Sequence, residues 1–134
     1  MRALVACMTD MRQHGSRYVA AALPELPFSD GAFDLTLSAH FLFMYADRLD
    51  HTFHRQALAE LMRVTRHQIR IFPTVDLNGQ RYEHLDALLA WVRSHGWAAE
   101  EIRVPYEFHR NAHTMVQLTR VDIPGRCMPR TSLV

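Results

Sequence analysis

The sequence predicts an α/β domain with a mostly parallel sheet and an antiparallel hairpin at its carboxyl end. Three observations point there. Apolar stretches with strand character alternate with stretches of helical periodicity. The last two strand-like stretches follow one another across a bend too short for a crossover helix, so they pair antiparallel. Hydrophobic residues make up 49% of the 134 residues and charged residues 22%, which is globular usage.

The elements can be justified in order. Leu4, Met8 and Met11 recur at helical spacing and Gly15 is a natural stop, so residues 1–14 form a helix. A short apolar start after Arg2 also raises a signal peptide. Thr9-Asp10 ends the stretch without a cleavage site of small residues, and the helix is the better reading. Arg17–Ala22 reads as a short strand. Two prolines and Asp30-Gly31 then make residues 23–31 a loop with a turn.

Phe33–Ala39 is a strand apolar enough for the middle of a parallel sheet. The aromatic stretch His40–Tyr45 follows it. Asp50 or Thr52 caps a helix that carries Phe53, Ala57, Leu58, Leu61, Met62 and Val64 on one stripe. Gln68–Phe72 is a strand stopped by Pro73, and the loop after it holds Asp76, Asn78 and Gly79. Leu85, Leu88, Leu89, Trp91 and Val92 line a second amphipathic helix that Gly96 ends. Glu101–Phe108 and Thr114–Val121 close the sheet across His109–His113. Residues 1–121 thus make one domain, and 122–134 are expected to be a disordered tail.

Composition excludes several function classes. The 15 basic residues are all arginine. Without lysine there is no Schiff base for pyridoxal chemistry and no P-loop lysine. A net charge of +1 gives no reason to expect a nucleic-acid or membrane partner. No apolar run approaches the roughly 20 residues of a membrane span. Cys7 and Cys127 suit a reducing compartment, so a cytoplasmic location is expected.

In such sheets ligands sit beyond the carboxyl ends of the strands. That directs attention to Ala22-Leu23, Ser38–Tyr45 and Pro73–Gly79. His40 has two readings, a pocket residue or a hydrogen-bonded structural one. Phe41, Phe43 and Met44 serve equally as core or lid packing. His51 and His54 lie three apart, but a metal would need a third ligand, and no metal is expected. Asp76 and Asn78 either face a ligand or build a solvated Asp-x-Asn-Gly turn.

The stretch Leu26-Pro27-Phe28-Ser29-Asp30-Gly31-Ala32-Phe33-Asp34-Leu35-Thr36-Leu37-Ser38 resembles the central signature of class I S-adenosylmethionine-dependent methyltransferases. The aromatic run after it, the helix ending Glu60-Leu61-Met62-Arg63-Val64, the strand Arg70-Ile71-Phe72-Pro73 and the closing hairpin match that family in order. The resemblance implies a Rossmann-like sheet with helices on both faces. It also implies methyl transfer from S-adenosylmethionine to a small-molecule acceptor.

By the same resemblance Ala22, Leu23, Ser38, Ala39 and His40 border the cofactor. Phe41, Tyr45, Asp76 and Asn78 border the acceptor, and His40 and His54 are the catalytic candidates. The family's glycine-rich loop and the acidic residue on its second strand are not among these residues. The five glycines are scattered. Ala22 stands where many members carry an aspartate toward adenine. An incomplete sheet follows, with S-adenosylmethionine bound weakly or not at all. The chain would then be active only where its first third is supplied by another chain or by an upstream start. The alternative is a truncated, non-catalytic module that binds a partner or persists as a gene remnant. In either case exposed sheet edges favour self-association.

Overall fold

A computed structural model describes residues 1–121, so the expected tail at 122–134 lies outside the described residues. The elements are helix α1 (Arg2–Gln13), strand β1 (Phe33–Ala39), helix α2 (His51–Val64), strand β2 (Thr65–Phe72), helix α3 (Leu85–Arg93), strand β3 (Trp97–Arg103) and strand β4 (Thr114–Arg120). Single turns of 3-10 helix lie at Gly15–Arg17 and Phe43–Tyr45.

The four strands form one sheet in the order β1-β2-β4-β3. β1 and β2 run parallel, whereas β2–β4 and β3–β4 are antiparallel. The α/β class holds, but among the described residues the sheet is mixed and has one parallel pair. The cause lies in the placing of β4. The last strand of the hairpin inserts beside β2, and the short link 104–113 brings β3 to its outer edge.

Register decides which side chains share a face. Ile69 lies opposite Leu118 and Ile71 opposite Val116, and Ala99 faces Leu118 from the far strand. All are buried, and with Trp97 they meet Leu58 and Leu61 of α2 and Leu85, Leu88, Leu89 and Val92 of α3. The other face is open. Leu37 opposes Arg70 there, and Leu37 is 59% exposed. The expectation of helices on both faces is therefore corrected. α2 and α3 share one face, and α1 buries no side chain at all.

Two strand boundaries also differ. Arg17–Ala22 forms no strand; after the 3-10 turn it runs exposed, with a single isolated bridge from Ala22 to Glu25. A strand needs a hydrogen-bonding neighbour, and none lies beside this segment among the described residues. The first strand of the hairpin is Trp97–Arg103 in place of Glu101–Phe108. The alternation of buried Trp97 and Ala99 with exposed Ala98 and Glu100 sets the pleat, and Pro105 stands outside the ladder.

The capping chemistry is as the residues dictate. Asp50 caps α2 by accepting the Phe53 N–H at 2.7 Å. Gly96, at φ 81°, provides the left-handed residue that turns α3 into β3. A groove of 980 Å³ runs along the free edge of β1, where Tyr18, Val19, Leu26, Phe28, Leu35 and Leu37 are among its walls.

Candidate functional site

The carboxyl ends of the parallel pair point to one rim, and the loops that follow β1 and β2 build it. At the end of β1 the backbone N–H of His40 donates to the Phe72 carbonyl at 2.8 Å, one step beyond the last strand pair. His40 then takes a positive φ of 57°, unusual for a residue with a side chain, and the chain turns away. Its ring lies 4.2 Å from that of Phe108 and 5.6 Å from that of Phe72. Nδ1 of His40 is buried without a hydrogen-bond partner among the described residues.

The aromatic run after His40 divides between core and surface. Leu42, Phe43 and Met44 are buried, while Phe41 is 40% exposed and Tyr45 half-buried. Phe41 touches both Tyr45 and Phe53 ring to ring. Ser38 and Ala39 are the last residues of β1, paired with Ile71 and Phe72. Ala22 bridges Glu25, and Leu23 packs against the core. Neither lines the β1 groove. The β1 groove instead joins Ser16–Val19 to Phe33–Leu37.

His54 is fully buried. Its Nδ1 lies 2.8 Å from the Asp50 carbonyl and its Nε2 3.1 Å from the Leu42 carbonyl. The rings of Phe43, Tyr82 and His54 form one mutual cluster, with centroids 4.5 to 5.6 Å apart. Both ring nitrogens thus join the start of α2 to the loop after β1. His54 lies beneath the rim, with no open nitrogen.

A second pocket, of 690 Å³, opens on the rim itself. Ala46, Asp47, Leu49, Asp50 and His51 form one wall, and Asp76 with residues 80–84 forms the other. Asp76 Oδ1 accepts the N–H groups of Asn78 and Gln80 at 2.8 and 2.9 Å, so the carboxylate both caps the turn and lines the pocket. Asn78 is exposed on that turn and outside the pocket. The turn is fixed from behind. Gly79 has φ 75°, and a Cβ there would come within 2.8 Å of the Arg110 carbonyl. Arg81 is committed to Asp86 and Glu101, at 2.7 and 2.9 Å, which ties this wall to β3.

The pocket's central pair was not singled out by sequence reasoning. Nδ1 of His51 lies 3.1 Å from the Tyr82 hydroxyl, and the His84 ring is 5.1 Å from that of His51. Tyr82 is buried against the rings of Phe43 and His54. Burial holds the His51 imidazole below its ordinary pKa; the neighbouring His84, Arg55 and His54 push the same way, and Asp50 opposes them. Burial raises the Tyr82 phenol, with Asp50 and Glu83 adding to it. Those directions favour a neutral imidazole beside a protonated phenol; with the proton on Nδ1, toward the Tyr82 oxygen, Nε2 is left able to take a hydrogen bond or a proton. The available signal was a histidine at the first position of a capped helix. Its partners, some thirty residues on, share no spacing with it.

No three histidine, cysteine, aspartate or glutamate side chains converge as metal ligands among the described residues. Residues 2–72, more than half of the chain, match the family model described as a methyltransferase domain. An uncharacterized protein of Methanocaldococcus jannaschii is 30% identical over 111 residues, covering 83% of this chain and 48% of that protein. The chain thus spans about half the length of the curated relative it matches. No solved structure matches it. Signature, element order and family match agree, and the chain belongs to the class I S-adenosylmethionine-dependent methyltransferase family.

Proposed function

We propose that this chain serves methyl transfer from S-adenosylmethionine to a small-molecule acceptor, with the acceptor at the carboxyl rim. The observation that carries this reading is a family match over β1, α2 and β2 joined to a pocket formed by the loops after those two strands. When bound, the cofactor supplies an electrophilic methyl group on a sulfonium. The chain's own task is then to align the acceptor and keep out water.

The residues present suit one side of that cofactor. The buried, unpartnered Nδ1 of His40 is a polar atom at the strand end, and a ligand would satisfy it. Ala22, Leu23, Ser38, Ala39 and His40 would border the cofactor, and Phe41, Tyr45 and Asp76 the acceptor. His40 takes precedence over His54 as the histidine near the reaction, because both nitrogens of His54 are engaged. The sequence holds no glycine-rich loop with backbone amides for the cofactor, so its affinity is weak.

Titration calorimetry and amide NMR with S-adenosylmethionine test both parts. Weak binding, with shifts centred on residues 38–41, is the expected result. Micromolar affinity would overturn the weak-binding claim, and shifts confined to other residues would remove His40 from the site. A second reading, a non-catalytic interaction module, draws on the free edge of β1 and on exposed Leu4, Val5, Met8 and Met11 of α1. It expects dimers or larger species by light scattering, and a stable monomer counts against it.

A further inference from the structure

The rim pocket contains a histidine with one nitrogen held and the other open. Nδ1 of His51 is engaged by Tyr82, while Nε2 has no hydrogen-bond partner among the described residues. Tyr82 is 5% exposed and packed against the rings of Phe43 and His54, so its hydroxyl is a fixed point from which the imidazole is oriented. A base held through its far nitrogen by a rigid partner is the arrangement that general-base chemistry uses. We infer that this pocket receives a phenolic hydroxyl, with His51 Nε2 as its proton acceptor and Tyr82 as the residue that positions the imidazole.

The choice of hydroxyl follows from the walls. Asp47, Asp50, Asp76 and Glu83 line the pocket, and its arginine, Arg81, is already paired with carboxylates. Those carboxylates would hold an amine as its ammonium, which has no free electron pair for attack. A hydroxyl keeps its lone pairs and needs to give up a proton only as it reacts. Phenols ionise near pH 10, far below aliphatic alcohols, and so lie within reach of an imidazole.

The step balances. The acceptor O–H bond breaks, an Nε2–H bond forms, and the positive charge moves to the imidazolium, which returns its proton to water. Bound S-adenosylmethionine would supply the methyl group that the oxygen takes up, with the sulfonium becoming a neutral thioether, while His51 holds the displaced proton. This use of the site rests on the methyl-transfer reading; the binding of a phenol to His51 does not.

The test uses the full chain labelled with 15N-histidine and titrated with phenol. Saturable shifts of the His51 ring are expected. Affinity should fall roughly tenfold in His51→Gln and roughly threefold in Tyr82→Phe. Tyr82→Phe should also change the His51 tautomer, read from its ring 15N shifts, which a merely structural role would not do. Phenol should bind more weakly as the pH falls and His51 becomes protonated. Asp50, His54 and Arg55 of α2, Asp47 before it, and Asp76, Arg81, Tyr82, Glu83 and His84 across the pocket all surround His51. The titration is therefore repeated in His84→Gln, where the dependence should persist.

A flat pH dependence or unchanged binding in His51→Gln would each overturn the inference. A parallel titration with S-adenosylmethionine separates the two claims. Phenol bound at His51 without any response of residues 38–41 to the cofactor would leave the pocket standing and defeat the methyl-transfer reading. The converse result would defeat the pocket.

Discussion

α1 and α2 are of similar length and similar amphipathic pattern, 12 and 14 residues, yet they have opposite fates. α2 buries six side chains, from His54 to Val64, whereas α1 buries none. Leu4, Val5, Met8 and Met11 of α1 all remain exposed. The contacts α1 does make are local and polar. Asp10 gathers His14, Arg17 and Tyr18 at 2.9, 3.0 and 2.6 Å, and that hydrogen bond pushes the Tyr18 phenol up to about 12. An apolar stripe is thus a capacity for burial, and a sheet face must be present to use it.

The largest test of this contrast is a pair of truncations. Leu58→Ala, deep in α2, should cost about 2–5 kcal/mol in urea denaturation. Met8→Ala in α1 should stay within about 0.5 kcal/mol. A large loss from Met8→Ala would mean that α1 has a partner surface after all.

A smaller effect lies in the polar clamp of α2. Glu60 accepts bonds from Arg63 and from the Leu26 N–H, and Arg63 also reaches Asp30 and the Leu26 carbonyl. The Arg63 bonds chiefly hold the Glu60 carboxyl at about 2, with burial opposing. A depressed carboxylate stabilises the fold fully above its ordinary value near 4.5, and that contribution is lost as pH falls through about 2. Denaturation midpoints should drop across that window, and Glu60→Gln should flatten the slope. The Asp10 cluster of α1 has no such link to the sheet, so Asp10→Asn should leave the midpoints unchanged.

Next comes the helix start. Asp50→Ala removes the side-chain cap of α2 and should cost about 1 kcal/mol. The smallest change belongs to the open face of the sheet. Leu37→Thr should shift stability by no more than about 0.5 kcal/mol, because Leu37 is largely exposed. A larger loss would show that something covers that face in solution.

Local signals made much of this fold legible. Asp50, the α2 stripe, the apolar run of β1, Gly96 and the closing hairpin are each set by residues within one element. What the sequence left out depends on neighbours. Tyr18-Val19-Ala20 has strand composition, but composition supplies no partner strand. The pleat of β3 was hidden because alanines occupy it while the bulkier Val104 and Tyr106 lie beyond. The site divided in the same way. His40 could be placed by its position after a strand, whereas the grip of Tyr82 on His51 joins residues 31 apart and follows from the rim alone.

The strand order has a consequence for how the chain is made. Among the described strands β4 is the last to leave the ribosome, yet it occupies an interior position of the sheet, hydrogen-bonded on both sides. Until Thr114–Arg120 has emerged, β2 lacks one neighbour and the nascent core lacks Val116 and Leu118. Folding during synthesis cannot close before that point, and the nascent chain presents apolar surface until β4 has emerged.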